Sequence, residues 1–317
     1  MIPLNEKVAE YFPYSSVRPF QDTFINAIHE AVEKGKHIVL EGSNGLGKTV
    51  AALSACLPEA KQRDLKILYT AKTHRQHDRV IEELKAISKK RGVSGLSIRG
   101  RSLMCLHPMV VRSSTDARSA MEICELLKRE GKCPLYENID RDTGRFMEIV
   151  SHVSSSIYSA TEIREICRAE GFCPYEVVKS VLSEVDVIAL SYLYIFDPAI
   201  RGVFLKHLER PLDSVLLIVD EAHNLPDTAV EVASDSLTLF TIKQAEREAR
   251  QFNYRDFASF ARIFRNFIEK MMSEIREEKI VSPRLLLEDL EKETGLSNLE
   301  EFFEELYATG KIIRRRT

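Results

Sequence analysis

Hydrophobic residues return every three or four positions over 20–35, where Phe20, Phe24, Ile28 and Val32 share one face and Gly35 closes the run. That spacing predicts an amphipathic helix. "KHIVLEG" follows as a short apolar stretch and predicts a buried strand. It leads through a glycine turn into "AALSACL", which predicts a second helix. "KILYTA" reads as the next strand and "HRQHDRVIEELKAISKKRG" as the next helix, with Val80, Ile81, Leu84 and Ile87 on its apolar side. Two further strands are predicted, at "DVIAL" (186–190) and within "SVLLIVDEAH" (214–223). Strands and helices alternating at this rhythm imply right-handed crossovers and a parallel sheet, so the predicted fold class is α/β.

The alternation breaks between about Arg101 and Glu184. This segment holds five of the six cysteines and no convincing strand, which predicts an insertion folded around something other than a large core. Beyond about Leu237 the chain turns helical. "FASFARIFRNFIEKMM" places Phe257, Phe260, Phe264, Phe267 and Met271 along one seam, the pattern of helix–helix packing rather than of an aromatic platform for bases. The expected organisation is a sheet domain built from 1–100 and 185–237, an insertion at 101–184 and a helical segment at 238–317.

Composition narrows the function classes only a little. The chain is 44% hydrophobic and 29% charged, a balance that excludes wholesale disorder. Its formal net charge of -3 supplies no global basic field, so any nucleic-acid surface must be local. The start, "MIPLNEKVAEYF", carries charges where a signal peptide needs an apolar core, and no apolar run approaches membrane-spanning length. An intracellular protein without a membrane partner is expected, its cysteines reduced or metal-bound rather than paired.

The chemistry begins at residues 42–50: Gly42, Ser43, Asn44, Gly45, Leu46, Gly47, Lys48, Thr49 and Val50. Gly-x-x-x-x-Gly-Lys-Thr between a predicted strand and a helix is a complete Walker A pattern, the mark of a P-loop NTPase. Glycines let successive N–H groups point into one concavity, and the helix N-terminus adds partial positive charge. Lys48 would reach the β- and γ-phosphates of ATP, and Thr49 would offer its hydroxyl to Mg²⁺. At the carboxyl end of the last predicted strand, Asp220 would hold Mg²⁺ and Glu221 would orient and deprotonate the attacking water.

Walker A followed by "DEAH" resembles a superfamily 2 helicase. "YTAKTHRQ" (69–76) looks like the next helicase motif, with Thr73 on a nucleic-acid backbone. "VRPFQ" (17–21) looks like the adenine-recognition element, with Gln21 on the base and Arg18 nearby. By the same resemblance His223 would couple hydrolysis to closure.

Cys105, Cys124, Cys133 and Cys173 contain no Cys-x-x-Cys pair, so spacing leaves zinc, an iron–sulfur cluster and free core thiols all open. Cys105-x-His107 permits a mixed zinc site. "RSLMCLHP", "KCPLYEN", "GFCPYEVVK" and "ALSYLYIFDP" closely resemble the XPD family of iron–sulfur DNA helicases, related to the DinG helicases, over essentially the whole chain. The resemblance implies a RecA-like domain 1, an iron–sulfur domain as the insertion and part of a helical arch at the end. It puts the 4Fe–4S ligands on Cys105, Cys124, Cys133 and Cys173, leaving out Cys167, and Cys56 reads as a core thiol.

Arg99, Arg101, Tyr175 and Lys179 flank that frame and are candidates for contacting single-stranded DNA. The implied activity is ATP-dependent 5′ to 3′ unwinding in nucleotide excision repair, on single strands, forks or bubbles, with repair or transcription-factor proteins as partners. The family's second helicase domain carries Gln-x-x-Gly-Arg-x-x-Arg, and no such motif stands in this chain. The basic run Arg314–Arg316 is read as a tail or the start of an interrupted arch. The alternative is a non-translocating nucleic-acid binding module with an inactive nucleotide site.

Overall fold

The computed structural model describes residues 3–113, 117–234, 237–273, 275, 278 and 280–314. Arg315 and Arg316 of the terminal basic run lie outside the described residues. The chain divides into two compact units, Met1–Ala233 and Ser234–Thr317.

The first unit is built on a five-stranded sheet of order β3-β2-β4-β1-β5, parallel at every pairing. Its strands are β1 (Lys66–Ala71), β2 (Gly95–Ser97), β3 (Ile157–Tyr158), β4 (Val187–Ser191) and β5 (Val215–Val219). The helices used below are α1 (Gln21–Glu33), α2 (Lys48–Gln62), α3 (His74–Ile87), α4 (Ala117–Arg129), α5 (Thr143–Ser154), α6 (Ala160–Glu170) and α7 (Pro174–Val181).

Side chains alternate across the strands with period two, so each strand feeds both faces of the sheet. Ile67, Tyr69, Ala71, Val187 and Ala189 pack with α1, α2 and α3 into one core. Leu68, Leu96, Ile188 and Leu190 pack into a second with Phe146, Ile149, Ile163, Val177 and Val181 from α5, α6 and α7. This overturns the expectation that 101–184 lacks a large core. The second half of that segment packs on one face of the sheet, beside Ile195, Phe204 and Leu208, and supplies β3.

Both β2 and β3 are too short to leave a period in the sequence. Gly95 is required where β2 meets β4, because a Cβ there would stand 2.8 Å from the Val187 carbonyl oxygen.

A second expectation fails at "KHIVLEG". Residues 36–41 are exposed and form no strand, with Val39 94% accessible. The run pairs with no strand, although an edge of the sheet stands open. Among the described residues β5 pairs with β1 alone, and its outward side leaves Leu217 exposed. An apolar run becomes a buried strand only beside a strand that takes its N–H and C=O groups.

The second unit is helical: α8 (Leu239–Gln251), α9 (Arg255–Ser273), α10 (Pro283–Thr294) and α11 (Leu299–Arg314). The seam of α9 packs on its neighbours. Phe260 lies 4.7 Å from Phe302 between ring centroids and Phe257 lies 5.3 Å from the same ring, with Leu290 and Leu299 buried beside them. Met271 remains partly exposed. No helix among the described residues is long and apolar enough to cross a membrane.

Candidate nucleotide and cysteine sites

The glycine turn delivers the backbone its residues dictate. Gly45 and Gly47 sit at φ 87° and 81°, the left-handed region that costs glycine little, and Gly47 caps α2. A Cβ on Gly47 would meet Gln21 Nε2 at 2.5 Å. Gln21 is buried and committed to backbone: its Oε1 accepts from Arg18 N at 3.1 Å and its Nε2 donates to Gly47 O at 3.3 Å. Arg18 donates to Gly45 O. Both residues predicted to meet the base also brace the turn, and both line the cavity beside it. Within the turn Leu46 is buried, Ser43 and Asn44 line its rim, and Val50 anchors the first turn of α2.

Lys48 is where the two halves of the motif meet. Its Nζ donates to Gly42 O at 3.2 Å and to Glu221 Oε1 at 3.1 Å. Asp220 N still bonds Thr70 O, continuing the ladder past β5, and then Glu221 adopts φ 49°, turning the chain sharply away. That left-handed glutamate is a strained conformation held by its surroundings. Burial raises Asp220 above its ordinary carboxylate value, Glu221 adds repulsion, and Lys48 opposes both. His223 is exposed, its Nδ1 3.4 Å from Glu221 Oε2.

Sequence reading missed three residues here. Tyr69, in the middle of apolar β1, brings its hydroxyl beside Thr49 and Asp220, and burial raises its pKa. Tyr192 donates to the carbonyls of Asp220 and Glu221. Gln76 Nε2 lies 3.5 Å from Asp220 Oδ2. A tyrosine inside an apolar strand reads as core, so no signal in the sequence marks it as polar lining. Thr73 is the N-cap of α3, accepting from Gln76 N in a capping box, and is exposed at the same end of the sheet.

The cysteines divide into two environments. Cys105, Cys124 and Cys133 pack together with Val110, Ala120 and Leu127 in a small separate core. Cys173, also buried, reaches them through Lys128 of α4, whose charge interacts with both Cys124 and Cys173. Cys167 instead lies fully buried in the sheet-side core, its thiol pushed up to about 12 by burial. Burial likewise raises Cys105 and Cys133, takes Cys173 to about 11 and takes Cys56, inside α2, to about 12. All six are free thiols, and among the described residues no three cysteine sulfurs lie within 4.8 Å of one another.

Of the predicted nucleic-acid residues, Arg101 lies against the cysteine core, and Arg99 Nε and Arg101 Nη1 are buried without a hydrogen-bond partner. Arg99 holds Asp78 with two bonds of 2.9 and 3.0 Å. Arg101 stacks over the Tyr175 ring at 4.5 Å, and Lys179 pairs with Glu176 at 2.8 Å. Arg101, Tyr175 and Lys179 are thus brought together beside Cys124, while Arg99 is tied to α3 instead.

A family model described as DEAD_2 matches residues 69–242, more than half of the chain. The chain is 26% identical over 269 residues to the general transcription and DNA repair factor IIH helicase subunit XPD of Arabidopsis thaliana, covering 78% of this chain and 34% of that protein. It is 30% identical over 186 residues to a Fanconi anemia group J protein homolog of Gallus gallus, covering 58% of this chain and 14% of that one. The chain thus spans about a third of the length of the XPD relative or less.

Among solved structures, one titled "XPD_Helicase" superposes with a TM-score of 0.57 at 19% identity, covering 95% of this chain and 51% of its own. Another, "Truncated XPD", gives 0.51 at 19% identity, covering 92% and 80%. These likenesses establish a shared RecA-like α/β fold. With a family match across β1, the cysteine core and the Asp220–Glu221 corner, this chain belongs to the DEAD_2 family.

Proposed function

We propose that this chain is the first motor domain of an ATP-dependent DNA helicase of the XPD type. The observation that supports the reading is the Lys48–Glu221 contact at 3.1 Å, between residues 173 apart in the chain. With ATP bound, Lys48 exchanges Glu221 for the β- and γ-phosphates. The freed Glu221 carboxylate orients the attacking water and takes its proton. Thr49 and Asp220, aligned by the shared Tyr69 hydroxyl, would hold Mg²⁺, which neutralises the charge developing on the phosphates. His223 beside Glu221 links the reacting end to the adjoining surface.

Cys105, Cys124, Cys133 and Cys173 would hold a 4Fe–4S cluster, which supplies cohesion to a core with few apolar residues. Two features support the fit. Cys105 lies close enough to Cys124 and Cys133 to feel both, so three of the four thiols share one pocket. Lys128 and Arg101 also bring positive charge against sulfurs that burial otherwise keeps protonated.

Single-stranded DNA would pass Thr73 and the Arg99, Arg101, Tyr175 and Lys179 surface, with forks or bubbles as substrates. The family resemblance supplies 5′ to 3′ polarity and excision repair. The names of the relatives support repair and transcription-factor partners and an intracellular setting. A second helicase domain, with its own arginines, would complete the ATP site.

The test pairs nucleotide and DNA binding with metal analysis. Mg-ATP is expected to change the affinity of the chain for a single-stranded oligonucleotide, and Lys48→Ala to abolish that response. Anaerobically purified protein should contain about four irons and four sulfides, lost in Cys105→Ser. DNA binding indifferent to ATP in both proteins would favour the non-translocating module, and zinc in place of iron would remove the cluster.

A further inference from the structure

α1 and α2 run side by side in the same direction. At their starts Gln21 donates to the carbonyl of Gly47, and midway His29 meets Ala55. At their ends Arg63, just past α2, donates to the carbonyl of Glu33, the last residue of α1. Parallel helices bring their partial negative ends together, and such a place favours a cation.

The side chains gathered there are metal ligands. A ring nitrogen of His29, a carboxylate oxygen of Glu33 and one of Glu59 all lie within 4.8 Å of one another. His29 and Glu33 stand four residues apart, so one face of α1 presents both. His29 is 3% exposed and Glu59 2%, whereas Glu33 lies at the surface.

The histidine is set in the form that binds a metal. Its Nδ1 lies 3.2 Å from Ala55 O, and a carbonyl only accepts, so Nδ1 carries the proton. The lone pair is left on Nε2, which is buried and has no hydrogen-bond partner among the described residues. A buried acceptor without a partner is costly and rare. An imidazole whose other N–H is held by a backbone carbonyl is the usual state of a ligating histidine. Glu59 also has an oxygen to offer. Its Oε2 pairs with Arg63 at 3.0 Å, but Lys7 Nζ stands 3.8 Å from Oε1, beyond hydrogen-bond reach, and is bonded to Gln62 instead.

We propose that His29 Nε2, Glu59 and Glu33 form a site for Zn²⁺, with water as the fourth ligand, that clasps the ends of α1 and α2. The imidazole selects zinc over Mg²⁺ and Ca²⁺, which take oxygen ligands. Bonds of about 2.0–2.2 Å require the ligand atoms to draw closer than they stand, and exposed Glu33 has the room to swing in. At 1.5 Å per residue, Glu59 is about 18 Å along α2 from Gly47, so this ion is distinct from the Mg²⁺ of the phosphate turn. The proposal does not depend on the nucleotide or cluster readings.

The test uses the untagged 317-residue chain, purified anaerobically and dialysed free of loosely held ions. Zn²⁺ is titrated by calorimetry in excess Mg²⁺, and Co²⁺ is titrated in parallel by absorption. Cobalt on thiolates shows sulfur-to-metal charge transfer and cobalt on nitrogen and oxygen does not, which separates this site from the cysteines. The parent should bind one Co²⁺ without charge transfer, displaced by Zn²⁺. At zinc about 100 times Kd, the first unit should melt about 5–11 °C higher.

Glu33→Gln and His29→Gln should each weaken this zinc by about 10–100-fold or more, since losing even an outer partner costs that much. Lys7→Ala should tighten it several-fold by removing a cation that competes for Glu59, a gain that a plain Lys7–Glu59–Arg63 ion pair would not produce. The exposed Glu33→Gln should melt within about 2 °C of the parent in the absence of zinc, and it decides alone if His29→Gln fails to fold. A parent without a thiol-free cobalt site, or equal zinc affinity in the parent and Glu33→Gln, would overturn the proposal.

Discussion

Tyr69→Phe removes one oxygen atom from the middle of β1 and leaves no cavity, because phenylalanine fills the same volume. Tyr69 is 1% exposed, so water cannot replace the lost group. Asp220 then loses a donor that lowers its pKa, in a site where burial already raises it, and Thr49 loses a partner. A hydrogen bond to a charged acceptor is worth about 1.5–3 kcal/mol. For a unit of this size each kcal/mol moves Tm by about 2–4 °C, so the first unit should melt about 3–12 °C lower at pH 7.

The loss depends on an ionised Asp220, so it should shrink as the pH falls and that carboxylate takes a proton. Function adds a second readout. Outer-shell partners of metal ligands typically carry about 10–100-fold in metal affinity, so Mg-ATP should weaken by that factor while metal-free ATP does not. Calorimetry of nucleotide binding with and without Mg²⁺, beside thermal melts at pH 7 and pH 4, measures all of this. An unchanged Tm together with an unchanged ratio of Mg-ATP to ATP affinity would refute the role assigned to Tyr69.

Asp220→Asn should melt higher than the parent at neutral pH. The folded pKa of Asp220 is raised, so its contribution is full below the ordinary value of 3.8 and is lost as pH rises through the folded value. Melts from pH 3 to 8 should show the gap opening with pH, at roughly 2–4 °C per kcal/mol recovered, while Mg-ATP binding is lost. Cys167→Ser places a hydroxyl in the sheet-side core and should cost about 1–3 kcal/mol without altering iron content, whereas Cys173→Ser should lose the iron. Iron analysis and denaturation of the two variants separate these outcomes. Ile163→Ala, fully buried on α6, should destabilise the first unit by about 2–5 kcal/mol in chemical denaturation, as expected of a residue in the sheet's own core.

Periodicity and local chemistry determine much of this protein. The run from Val80 to Ile87 can bury its apolar side only as a helix, and α3 occupies His74–Ile87. The glycines of the turn, with Lys48 and Thr49 after them, name a phosphate site because few other residues permit that backbone. The Asp220–Glu221 corner is legible because it ends an apolar strand.

Tertiary structure alone decided the rest, wherever the outcome depends on a partner remote in the chain. "KHIVLEG" has the composition of a buried strand, yet a strand needs a neighbour along its edge, and none stands beside it among the described residues. The insertion looks poor in core because α5, α6 and α7 bury their apolar sides against the sheet as well as against one another. Which cysteines share a pocket, which tyrosine touches Thr49 and Asp220, and that Glu83 faces Tyr14 across 69 residues are facts of three-dimensional proximity. No local pattern encodes them, because a contact between distant segments leaves each segment looking like ordinary core or ordinary surface.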